Sequence, residues 1–366
     1  MRTRLWLAIG AIITLAGCSG AGGGLGAGNG AIPPAPTTQT LSQQEVAQAG
    51  AEAAFSPIES GQEDAGLFNG AYGTAVSNSI KPLASLSTTG SCNNGREFTV
   101  TVISPTQTQY ELKLFYDNAC TELARDAVAL VTKASSSSET IARTVTNYNL
   151  SGIVLSTRKT NFAVTGSPGN FSAIATGSLF IGTSTSPEAQ SGRQLTVAPQ
   201  NSTTSTISGN SGHIENVGIP SIDESFGHSG VLQNTTETTD VSGNVTFAGT
   251  HVGTFVKGPL GSLSLPVNPP FAVSGGTQIG QATISGSVEF DSNDQLINVT
   301  LNGTLLNGNT LAVTTSGTPP TIAINGVITS PSSQPVATFT VDKFGNGVIT
   351  YANGQQALIV DWHVVK

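Results

Sequence analysis

The sequence predicts a mainly β protein: an antiparallel meander of hairpins, folded as a sandwich or as an open or partial barrel, with one short N-terminal helix. Three observations lead there. Charged residues make up 10% of the 366 and glycine alone contributes 43, against roughly 25% charge in an average soluble domain, so corners and uncharged faces dominate. From Arg96 onward apolar residues alternate with Ser, Thr and Asn at a period of two, the spacing of a half-buried strand. The pairs Asn307-Gly308, Asn346-Gly347 and Asn353-Gly354 punctuate that alternation and supply the positive φ that tight hairpin turns need.

Taken in order, residues 1–17 read as an export signal. Arg2 and Arg4 precede an apolar run from Leu5 to Leu15, shorter than the ~20 residues of a membrane span. The closing Leu15-Ala16-Gly17-Cys18 resembles the lipobox of bacterial lipoproteins. That resemblance implies cleavage before Cys18, a diacylglycerol on its thiol and an acyl chain such as palmitate on the new amine. Two or three chains make a durable anchor where one does not. Within that family Asp after the cysteine favours the inner membrane; Ser19 stands there, which implies the outer membrane. Residues 18–40, rich in Gly and then Pro, form a flexible tether reaching roughly 25 Å.

Residues 41–91 read as a helical and covering segment. Ser42 and Glu45 have the spacing of a capping box, and Val46, Ala47, Gly50, Ala51 and Ala54 share one helical face, with Pro57 expected to end the helix. A second short helix is expected between residues 58 and 91. Residues 92–198 read as a first β-subdomain. Its opening hairpin turns at Ser104–Gln107, which sets Cys92 nearly opposite Cys120 across the open end. Cys18 being committed to lipid, the remaining even pair predicts a disulfide in an oxidising compartment, worth roughly 3.5 kcal/mol on the chain-entropy model. Residues 120–148 fit a helix or a hairpin turning at 135–138, and the β neighbourhood favours the hairpin. Residues 199–240 are expected to be a long polar loop, and 241–366 a second β-subdomain. Within it 243–249 and 250–257 are expected as separate strands and 356–365 as one. A recurring apolar–Ser/Asn–Gly–x–apolar motif (150–154, 241–245, 284–288, 301–305, 324–328) has no fixed period. Its glycines suggest places where a backbone or an aromatic ring comes close.

Charge excludes some partners. The net charge is −8, and removal of the signal takes away Arg2 and Arg4 as well. Nothing in such a chain offers the basic footprint of a nucleic-acid binder, so membrane contact is expected through the N-terminal lipid. No catalytic residue, cofactor or metal is expected. His213, Glu215, Asp223 and His228 have the chemistry of metal ligands, but their spacing fits no motif. Two glycine-flanked serines, at 209–212 and 227–230, depart from the hydrolase pattern. The expected function is a non-catalytic binding or structural role in the cell envelope, with a protein or polysaccharide partner. The alternatives are a periplasmic carrier of a lipid or other hydrophobic ligand, resembling lipoproteins in which a meander and a helical lid enclose an apolar groove, and an envelope hydrolase.

Overall fold

The computed structural model describes residues 42–66, 90–167, 170–215, 226–264, 272–291, 295–318 and 321–365. The signal, Cys18, the tether, Asp223 and the expected second helix beyond Gly66 lie outside the described residues. One helix, α1 (Gln43–Gly66), precedes a single antiparallel sheet of 18 strands.

The strands are β1 (Arg96–Ser104), β2 (Gln107–Phe115), β3 (Leu123–Ser135), β4 (Ser138–Tyr148), β5 (Val154–Ser167) and β6 (Asn170–Ile181). They continue as β7 (Ala189–Pro199), β8 (Thr204–Glu215), β9 (Phe226–Thr239), β10 (Val245–Ser264), β11 (Ala272–Phe290) and β12 (Leu296–Thr304). The last six are β13 (Thr310–Ser316), β14 (Ala323–Thr329), β15 (Pro335–Asp342), β16 (Gly347–Tyr351), β17 (Gln356–Val360) and β18 (His363–Val365). Each strand pairs with the next in sequence from β1 to β18. The sheet is open: among the described residues β1 and β18 form no ladder with each other.

Helix α1 starts as its sequence indicates. The Ser42 N–H donates to Glu45 Oε2 at 2.7 Å and the Glu45 N–H to Ser42 Oγ at 3.2 Å, closing the capping box. It does not stop at Pro57. A proline inside a helix removes one backbone bond and costs about 3 kcal/mol, yet the next turn buries Ile58 completely and pairs Glu59 with Arg158. Tertiary contacts outweigh the local penalty. Every residue from Val46 to Phe55 is buried, so α1 is enclosed on all sides rather than laid flat by one face. It touches β10 to β15 and β18. Small side chains permit this enclosure: a Cβ on Gly50 would fall 2.5 Å from Leu305 Cδ1.

Cys92 and Cys120 form a disulfide, Cα atoms 5.9 Å apart, across the open end of the β1–β2 hairpin. Residues 120–148 are the β3–β4 hairpin, turning between Ser135 and Ser138. Three further expectations need correction. Within 199–240, residues 204–215 and 226–239 are not loop but the strands β8 and β9, joined in one ladder. Its Gly and Asn residues carry weak strand propensity, and the ladders with β7 and β10 override it, helped by β-branched threonines. Residues 245–257 belong to one strand, β10, because Gly249 and Thr250 stay in register with Gly286 and Ser285. The same sheet runs through residues 92–198 and 241–366, and Gln39–Lys366 is one compact unit. Finally, 356–365 is not one strand: it reverses at Asp361 and Trp362, whose φ values of 49° and 69° are those of a tight hairpin turn.

The recurring glycine motif divides in two. Gly152 and Gly243 sit in turns between strands, whereas Gly286, Gly303 and Gly326 lie inside strands. At Gly326 the neighbour is an aromatic ring, since a Cβ would fall 2.0 Å from Phe339 Cζ. Gly326→Ala is therefore expected to destabilise the fold by about 1–3 kcal/mol through overpacking. In a double-mutant cycle by urea unfolding, Phe339→Leu should remove most of that increment; an additive cycle would contradict the contact.

Candidate functional site

The inward-facing residues are mostly Val, Ile, Leu, Phe and Ala, but one region of the interior is charged. Alternation along β3 and β5 turns Arg125 and Arg158 inward, and both are buried. The β17–β18 turn brings Asp361 to them. Arg125 Nη2 lies 3.4 Å from Asp361 Oδ1 and Arg158 Nε lies 3.2 Å from Oδ2. Arg158 Nη2 also donates to the Asp361 carbonyl at 3.0 Å, and its Nη1 pairs with Glu59 of α1. Arg125 donates to Asn147 Oδ1 at 2.7 Å and to the Phe344 carbonyl at 3.1 Å. Asn147 in turn donates to Ser156 Oγ at 2.9 Å. Burial pulls the Arg125 pKa below its ordinary value, and the Asp361 carboxylate opposes that pull.

Trp362, completing the turn, packs at 5.8 Å from the Phe55 ring of α1. Its indole lies over Gly345, where a Cβ would come within 2.5 Å of Trp362 Cδ2. The Trp362 N–H donates to the Gly345 carbonyl at 3.0 Å and the Asp361 N–H to Asn346 Oδ1 at 3.1 Å. Two consecutive non-glycine residues at positive φ are costly, and such backbone persists where its surroundings over-determine it.

Beside this lock lie Glu52 of α1, His213 of β8 and His363 of β18, all buried. Glu52 Oε1 accepts the Val364 N–H at 2.8 Å, and Oε2 is 3.5 Å from His363 Nδ1. The His213 and His363 rings stack, centroids 4.8 Å apart and planes 13° from parallel. One potential ligand atom from each of the three lies within 4.8 Å of the others. Glu52 and His213 border a cleft of about 40 Å³ lined also by Ser56, Glu59, Thr160 and Arg193.

A second cleft, of about 50 Å³, lies under Pro57 and is lined by Ile207, Phe247, His251, Ile284, Val288 and Leu301. Burial pushes the His251 pKa down to about 4. No family model, no curated protein and no solved structure matches this chain.

Of the four ligand-type residues read from the sequence, His213 enters this constellation, while Asp223 lies outside the described residues. His228 faces His213 in backbone register on β9, and Glu215 ends β8. Sequence reasoning missed Glu52 and His363. Each carried a signal: an acid amid alanines on an apolar helix, and a histidine inside the apolar run VDWHVV.

Asp361→Asn is expected to destabilise the fold by about 3–5 kcal/mol, because two buried guanidinium groups lose their shared counter-charge; chemical unfolding would measure it. The His251 imidazole contributes a pH dependence. Its folded pKa lies below the unfolded value near 6.5, so the unfolded chain takes up a proton first as pH falls. Its stabilisation is complete above about pH 6.5 and is lost toward pH 4, by about 3 kcal/mol in total. Urea unfolding at several pH values should show an acid limb shallower by that amount in His251→Leu.

Proposed function

We propose that this chain is a lipid-anchored protein of the cell envelope with a non-catalytic binding or structural role. In this reading Cys18 carries the acyl chains, residues 18–40 span the headgroups, and the β body stands beside the bilayer, at the outer membrane where the host has one. The observation that carries the binding role is the occupied interior. Helix α1 fills the space enclosed by the sheet, which leaves the outer face to meet a partner. Across β12 to β16 that face is uncharged over whole rows. Asn302, Ala312, Val327, Thr338 and Thr350 lie side by side in register, and Thr300, Thr314 and Thr340 belong to the next row. Hydroxyl and amide groups without charge suit hydrogen bonding to a neutral envelope protein or polysaccharide. The buried acids and bases hold backbone and one another, which is a structural use.

The carrier reading draws on the apolar cleft under Pro57. At about 50 Å³ it is far smaller than the 300–1,000 Å³ of ordinary ligand pockets. An acyl chain would need α1 to withdraw.

Radiolabelled palmitate should enter the wild-type chain and not Cys18→Ala; an unlabelled wild type would discard the anchor. An exported, unlipidated body should sediment with isolated envelope fragments, and Thr314→Lys with Thr338→Lys should release it. Lipid found by mass spectrometry in the detergent-free body would favour the carrier.

A further inference from the structure

We propose that Glu52, His213 and His363 hold a divalent transition-metal ion, with zinc the best fit. Two imidazoles and one carboxylate are the donor set that such ions prefer over calcium or magnesium. The three residues come from α1, β8 and β18, far apart in sequence, yet their potential ligand atoms gather within 4.8 Å. Bonds of about 2.0–2.1 Å in a tetrahedral arrangement set ligand atoms roughly 3.4 Å apart. Side-chain rotations that bring these atoms about an ångström closer, and turn one of the two stacked rings so that the nitrogen lone pairs converge, complete the set.

Further observations point the same way. The Glu52 carboxylate is held by the Val364 N–H at 2.8 Å, the kind of outer-shell hydrogen bond that orients a metal-binding carboxylate. The cleft meets Glu52 and His213 from one side, so a fourth position faces water. Arg193 lines that cleft as well, and its charge favours an anionic fourth ligand. The two imidazole rings already lie together, with centroids 4.8 Å apart. A metal ion takes both in the neutral form and places its own charge beside Glu52. Such an ion would clamp the helix to the last strand and to the middle of the sheet.

The test uses the folded body dialysed against zinc, then against buffer, with metal measured by plasma mass spectrometry. One zinc per chain is expected, along with a rise in melting temperature that magnesium and calcium do not reproduce. Cobalt in place of zinc should give the visible absorption of a tetrahedral site. His213→Ala and Glu52→Gln should lose more affinity than the roughly 10–100-fold that removal of an outer-shell partner costs. His213→Cys, which keeps a ligand, should retain the metal, and it decides the matter if the alanine variant does not fold by circular dichroism. Metal-free wild type after zinc dialysis, or equal zinc in wild type and folded variants, would overturn the site. So would a melting temperature that falls in the variants by the same amount with and without zinc, because that identifies a buried ion pair alone.

Discussion

The structure depends on the buried carboxylate of Asp361, shared between two arginines. An 18-strand meander has no intrinsic reason to keep its two ends near each other, because every ladder hydrogen bond joins neighbours in sequence. Asp361 supplies a long-range connection. It joins the final hairpin to β3 and β5, and Arg158 extends the connection to Glu59 on the helix. Two charges removed from water are costly unless paired and hydrogen-bonded, and here backbone carbonyls and Asn147 complete the pairing. The arrangement specifies geometry more than it adds stability, since a wrong docking of the hairpin would strand three buried charges.

The helix follows from the same constraint. A helix that is buried all round must be narrow and apolar, and VAQAGAEAAF meets both needs with alanine and glycine. Phe55 is its large exception, set edge-on to Phe339 and tilted against Trp362. Its two inward acids, Glu52 and Glu59, are the points where polar residues of the sheet reach it. A filled interior and charged fasteners together explain why both clefts are small.

This arrangement bears on the proposed role. On the proposed reading, a body whose interior is closed by its own helix would offer a partner the outer face, and residues 18–40 would set how far that face stands from the membrane. The neutral rows across β12 to β16 agree with the scarcity of charge in the whole chain. A histidine pair and a carboxylate at the junction of helix, β8 and β18 add a place where an ion would tighten the same closure.

The sequence by itself determined the fold class, the capping box, the Cys92–Cys120 pair and most hairpins, because these are local: alternation, turn chemistry and short loops act within a few tens of residues. Only the tertiary structure decided the rest. That α1 runs through Pro57, that β8 and β9 are strands and that the chain reverses at Asp361-Trp362 each override local preference. The first and the last are settled by contacts with residues far away in sequence, as Glu59 with Arg158 and Asp361 with Arg125, and β8 and β9 by the ladders with the strands on either side. The Glu52–His213–His363 cluster was illegible for the same reason. Its members stand on a helix and on two strands, β8 and β18, that share no ladder among the described residues, and burial of the helix inside the sheet is what brings them together.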